Sequence, residues 1–332
     1  MKLKIIILLL YITLIISDIK KPSDDFQQFV NFGSYKVTHI NDGKMKVKPK
    51  LFFSESTDSF WEQNKEFLDE DGNLSIYIGG FLLETKNQKV LMDLGIGPEK
   101  IYLKGVGNVS GGGLFLKNLE KAGVKPEQIT DVFFSHLHQD NIGWATTKKN
   151  DKYVLTFPKA KYWCNKFEWE YFEKDIEKAE LEIFKDLKTK FYEPIKGVMN
   201  FIQEGKELAP GLYPIGASGH SPALTLLKLE AKEQHQNLWF ISDIFHSLAE
   251  FKDVELFPDV DHSKFAKETR IIILPEFCKP YGFIANARFG PFAFGKLHDV
   301  NRTLTWEPCT TKECKLYLEG DGYTIAFQDE DL

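Results

Sequence analysis

Cysteine is scarce in this chain, with four in 332 residues, at Cys164, Cys278, Cys309 and Cys314. Such a set allows one or two disulfides in an oxidising compartment, so a hydrophobic core has to carry the fold. A concentrated positive field is missing too. The formal net charge is -6, with acidic and basic residues interspersed, which excludes the basic patch that nucleic-acid binding needs. The apolar stretch from Ile5 to Ile16, interrupted by Tyr11 and Thr13, is short for a membrane span. The glycines at 111 to 113 lack the Lys-Ser/Thr of a phosphate loop and read as a flexible connection. There is no internal repeat and no segment typical of a flavin or nucleotide module.

What is present is enough apolar material for a large core: 43% hydrophobic and 14% aromatic residues, which excludes global disorder. The length fits one large α/β domain, alone or with a small appendage. Lys2 and Lys4 precede the apolar stretch, so residues 1–17 read as a signal peptide. Ile15-Ile16-Ser17 lacks the small-x-small cleavage pattern, which leaves an uncleaved signal anchor as the alternative. Residues 18–32, with Lys20-Lys21-Pro22-Ser23-Asp24-Asp25, read as a polar linker, and 33–328 as the folded domain. The expected location is the secretory pathway or the extracellular space, with membrane contact only through an uncleaved N-terminus. The sequons at Asn73, Asn108 and Asn301 fit that setting; Cys309 and Cys314 either close a small loop or stay free.

Along the chain, Tyr35 to Ile40 alternates like an edge strand and meets a turn at Asn41-Asp42-Gly43. On that reading His39 is a surface residue, as are His235 and His262. Ser59 to Phe67 reads as a short helix, and Leu74 to Glu84 and Val90 to Met92 as strands. A helix from Leu114 to Ala122 leads through Lys125-Pro126 to a strand at Asp131 to Phe134. Lys161 to Trp163 is a brief strand, and Lys166 to Lys190 has a helical pattern with a solvated Glu/Lys face. Strands follow at Leu212 to Ile215, Leu224 to Glu230 and Leu238 to Ile241, then a helix at Ser263 to Leu274. A hairpin at Lys315 to Leu318 and Tyr323 to Phe327 closes the chain. Strands clustered between helices predict two mixed sheets covered by helices.

The most telling run is Phe133-Phe134-Ser135-His136-Leu137-His138-Gln139-Asp140-Asn141. Two histidines one residue apart, with a carboxylate two further on, can converge on a divalent cation if the backbone turns just after the strand. Two more polar sites sit where strands end: Gly219-His220-Ser221-Pro222, and Ser242-Asp243. His246 follows closely enough to touch such a pocket, and Asp93 ends a strand where it either bonds a ligand histidine or caps a turn.

With these motifs in order, the sequence resembles the metallo-β-lactamase-fold hydrolases, in the branch of acyl-homoserine lactonases and methyl-parathion-hydrolase-like esterases. Val90-Leu91-Met92-Asp93-Leu94-Gly95, Ala122-Gly123-Val124-Lys125-Pro126-Glu127, Phe157-Pro158-Lys159-Ala160 and Glu168-Trp169 extend the likeness over nearly all of Gly33 to Leu318. The resemblance implies an αββα sandwich, two mixed sheets face to face with helices on both outer faces. It also implies that His136, His138 and His220 hold a first metal, that Asp243 bridges two metals, and that Asp140 belongs to the second. Two positions depart from the family. Asn141 stands where a second-site histidine belongs, and Arg288 aligns with the last histidine, with His298 as the nearby alternative. An amide is a weak zinc ligand and a guanidinium cannot coordinate. The expectation is therefore one zinc rather than two, with Arg288 paired to Asp140 or Asp243 in the place of the other.

Two readings of function follow. In one, zinc activates water against a small ester or lactone, with Asp140, Asp243 and Arg288 in catalytic roles. In the other, the chain is a pseudoenzyme with structural zinc or none, used for binding or as a subunit of a larger assembly. There Trp144, which replaces a glycine, narrows the pocket. Phe52, Phe53 and Trp61 line either a hydrophobic mouth or the core.

Overall fold

The computed structural model describes residues 27–98, 101–103, 107–109, 112–178, 182–203, 205–311 and 313–314. The apolar N-terminal segment and the hairpin expected at 315–318 and 323–327 lie outside the described residues. Two mixed sheets pack face to face. The eight-stranded sheet runs Met199–Phe201, Lys161–Cys164, Asp131–Phe133, Lys89–Met92, Leu74–Glu84, Tyr35–Val47, Phe29–Phe32, Glu313–Cys314. The six-stranded sheet runs Leu212–Gly216, Thr225–Ala231, Gln236–Phe240, Gly282–Ala285, Phe294–Val300, Thr303–Pro308.

Alternation along each strand sorts side chains into layers. Phe81, Leu83, Val90, Met92 and Phe133 meet Leu227, Leu229, Leu238 and Phe240 in the core between the sheets. Their neighbours Leu82, Leu91 and Val132 face outward onto the helix residues Phe115, Leu119 and Trp169. On the far side Leu226, Trp239 and Ile284 face Ile273 and Phe277 of the helix Ser263–Phe277. This is the αββα sandwich, as the sequence pattern implies.

Several expectations are corrected. Asn41-Asp42-Gly43 is not a turn; the strand continues to Val47 through a bulge between Asn41 and Gly43. The bulge turns the buried Asp42 carboxylate toward three segments of the chain. It accepts from the backbone N–H groups of Ile96, Gly97, Gly113 and Phe115, and from Trp144 Nε1, at 2.8–3.1 Å. Trp144 is thereby a buried anchor. Gly113 is held by the same carboxylate and is no loose connection. Because that strand lies between two others, His39 is buried against Phe81 rather than exposed. Phe29–Phe32, in the stretch read as linker, is a strand with Val30 and Phe32 in the core. Phe52, Phe53 and Trp61 are buried in a satellite cluster. Across 166–190 the described residues are helical over Lys166–Lys178 and Glu182–Leu187, and a π-turn at Lys188–Tyr192 follows. Cys309 and Cys314 form a disulfide, while Cys164 and Cys278 are free.

Candidate metal centre

The polar residues gather at one rim of the sandwich, at the C-terminal ends of four strands. Asp93 follows Lys89–Met92, and the Ser135–His138 loop follows Asp131–Phe133. Ser242 and Asp243 follow Gln236–Phe240, and Asn286 and Arg288 follow Gly282–Ala285. Strand ends are where an α/β layer leaves backbone and side chains free to converge. Gly80 lets one of these turns close down, since a Cβ there would lie 2.2 Å from the Asp93 carbonyl oxygen.

Three imidazole nitrogens meet. His136 Nε2 lies 3.1 Å from His138 Nδ1, which lies 2.9 Å from His220 Nε2. The rings stand nearly perpendicular, with interplanar angles of 82°, 87° and 76°. Asp243 Oδ2 sits 3.4 Å from His220 Nε2 and 3.6 Å from His136 Nε2. Nitrogens bonded tetrahedrally to zinc at 2.0–2.1 Å are about 3.3 Å apart, so these spacings need to open by only a few tenths of an ångström.

The far side of each buried ring is tied down. His220 Nδ1 faces Asp261 Oδ1 at 2.7 Å, which leaves Nε2 to coordinate. Ser135 Oγ lies 3.0 Å from His136 Nδ1 and 2.7 Å from Asp93 Oδ2; donation to Asp93 lets it accept from that ring. Asp93 thus reaches the ligand through Ser135. Burial pushes its carboxyl up to about 7. Burial lowers His136 well below its ordinary value and His138 to about 4, and the neighbouring rings push the same way. Burial also acts to lower His220, but the Asp261 hydrogen bond and the Asp243 charge outweigh it and raise it. Two of the three rings are thus disposed to stay neutral and free to ligate.

Arg288 is buried beside them. Its Nε and Nη2 each lie 2.7 Å from an oxygen of Asp243, and Nη2 lies 2.6 Å from Asp140 Oδ2. Asn141 joins the two halves, with its Oδ1 3.4 Å from Arg288 Nη2 and its Nδ2 3.2 Å from His136 Nε2. Burial raises the Asp243 carboxyl, yet Arg288 and the histidines outweigh it and hold it well below the carboxylate range. Arg288 is likewise held protonated by Asp140 and Asp243 against the effect of burial. His298 pairs with Glu307 at 2.6 Å on another strand.

Sequence reasoning missed Asp261, which sits before the helix Ser263–Phe277 in an irregular acidic stretch with no periodic signal. His246 Nε2 packs 3.2 Å from His220 Nδ1, so His220, His246 and Asp261 form a second donor group on the other side of the same ring. Asp140, Asp243 and Glu250 are buried, with Arg288 paired to the first two and Arg270 to the third.

Residues 80–232 match the family described as the Metallo-beta-lactamase superfamily. The matched stretch is the one that carries His136, His138, Asp140 and His220. Solved structures of this fold agree over most of the chain. AidC, a dizinc quorum-quenching lactonase in complex with a product, is 24% identical with a TM-score of 0.72, over 86% of this chain and 98% of that one. The hydrolase AbOPH, of the beta lactamase superfamily, is 23% identical with a TM-score of 0.72, over 87% and 98%. A probable metal-dependent hydrolase from Staphylococcus aureus is 17% identical with a TM-score of 0.68, over 83% and 97%. No curated protein matches the chain in sequence. At these identities the metallo-beta-lactamase structures establish the fold, and the donor set of this chain establishes a histidine-rich group fit for a metal.

Proposed function

We propose that this metallo-beta-lactamase domain is a metal-dependent hydrolase that works with a single zinc ion on a small ester or lactone. The observation that carries the reading is the Arg288 guanidinium in contact with both Asp140 and Asp243, beside three converging imidazoles. On this reading a fixed cation stands in for the second metal that the family resemblance implies.

His136, His138 and His220 would hold the zinc, and the chemistry it would supply is a bound water of pKa about 7 and a Lewis acid for a carbonyl oxygen. Asp261 and Ser135 fix two of the rings. Asp140 orients the attacking water or takes its proton. Arg288 faces its two carboxylates rather than open space. It supplies fixed positive charge near the developing oxyanion instead of a free hydrogen-bond donor. The signal-like N-terminus supports a secreted or membrane-anchored setting.

A second reading has its own support. Asp243 Oδ2 lies 3.6 Å from His136 Nε2 and 3.4 Å from His220 Nε2, near enough to join them around a cation. If it closes the shell, the zinc is structural and the fold serves binding or assembly.

Metal analysis of the folded protein together with hydrolysis of a generic ester and an acyl lactone separates these readings. The hydrolase reading expects one zinc per chain and turnover abolished by a chelator and by Asp140→Ala. One zinc without turnover supports the structural role. Two tightly bound equivalents in the wild type would sink the single-metal proposal.

A further inference from the structure

We propose that Glu168 is a positioning residue for the metal centre, a buried carboxylate that ties the two ligand-bearing loops together and sets the spacing of the imidazoles. This rests on the reading that His136, His138 and His220 hold a cation.

The first two ligands lie on the loop after Asp131–Phe133, in the larger sheet. His220 lies on a turn of the other sheet, 82 residues from His138. Thr225 N–H donates to Ser135 O at 3.0 Å and joins these segments at their base. Glu168 joins them at the level of the ligands. Its Oε1 accepts from Leu137 N, the amide between the two histidines, at 3.3 Å. Its Oε2 accepts from Ser221 Oγ and from Ala223 N, both at 2.9 Å, on the turn that begins with His220.

The carboxylate is delivered by the helix Lys166–Lys178, which is itself held firmly. Trp169 stacks on Tyr192 at 5.5 Å, and Phe172 meets Phe191 edge-on at 5.5 Å. Glu168 is 4% exposed, and the three donors it binds are neutral. An acid there carries a desolvation penalty that an apolar side chain would avoid. Only a two-oxygen acceptor, however, can hold both loops at once. Glutamine cannot, because its amide nitrogen would face either Leu137 N–H or the Ser221 and Ala223 donors.

The test is zinc affinity of the full chain, read by competition with a chromophoric chelator, with the visible spectrum of the cobalt(II)-loaded protein and the melting temperature of the metal-free form. Glu168→Gln is expected to weaken zinc about tenfold and Glu168→Ala about a hundredfold, as for other residues that orient metal ligands. The cobalt bands should shift in both. Glu170→Gln, a change on the same helix at a half-buried position paired with Lys166, should leave affinity and spectrum as they are. If Glu168→Ala does not accumulate folded, Glu168→Gln and Ser221→Ala carry the test, with Ser221→Ala showing the smaller loss. Wild-type affinity and an unshifted spectrum in Glu168→Gln would overturn the proposal while leaving the metal site intact. Zinc uptake undiminished in His138→Ala would instead remove the metal reading, and the role of Glu168 with it.

Discussion

Arg288 grips Asp243 with two parallel N–H groups, each 2.7 Å from a carboxylate oxygen, a bidentate geometry that only a planar guanidinium provides. The same Nη2 reaches Asp140, so one side chain neutralises two buried acids.

Removing that cation leaves two buried acids without their guanidinium, Asp243 at the wall of a cavity of about 30 Å³. Arg288→Met is expected to destabilise the metal-free protein by roughly 3–5 kcal/mol, read from urea unfolding with chelator present. Arg288→His should instead raise the zinc content toward two equivalents, because an imidazole can ligate where a guanidinium cannot. Unchanged stoichiometry would show that Asn141 alone suffices to keep the second ion out.

Asp261 holds the outer nitrogen of His220. Asp261→Ala should weaken zinc binding about ten- to a hundredfold, with little loss of secondary structure by circular dichroism. Wild-type affinity would mean that His246, packed on the same nitrogen, orients the ring by itself.

His39 supplies a pH dependence away from the metal. Both of its nitrogens are buried without a hydrogen-bond partner, and burial lowers its pKa to about 4. The unfolded chain therefore binds the proton more readily. The stability tied to neutral His39 is complete above about pH 6.5 and is lost as pH falls toward 4, on the order of 3 kcal/mol in all. His39→Leu should hold or raise stability at pH 7.5 and flatten the fall at pH 5, as measured by urea midpoints at both pH values.

Asp42 accepts five hydrogen bonds from three segments, at Ile96 and Gly97, at Gly113 and Phe115, and at Trp144. Each buried donor left unpaired costs about 1–3 kcal/mol. The cost of Asp42→Ala should thus be comparable with the whole stability of an ordinary domain, and the variant should fail to give soluble folded protein. Soluble, cooperatively unfolding Asp42→Ala would show that water replaces the carboxylate.

Strands with clean alternation, such as Leu74–Glu84, and the histidines that end an apolar run were readable from the residues alone. Phe294–Val300 was not, because Phe-Gly-Lys-Leu-His-Asp-Val mixes polar and apolar positions on both faces and draws its strand character from its neighbours. Asp42 looked like a turn residue, since Asn-Asp-Gly carries turn chemistry that a bulge serves equally well. Arg288 was legible only against the family pattern. Asp261 and Glu168 gain their meaning from contacts far along the chain, which no local spacing encodes.

His136 and His138 follow a strand of one sheet, while His220 and Asp243 follow strands of the other. A cation seated among them would rivet the two halves of the sandwich along a single rim, and on the proposed reading thermal resistance is expected to rise with free zinc by simple mass action.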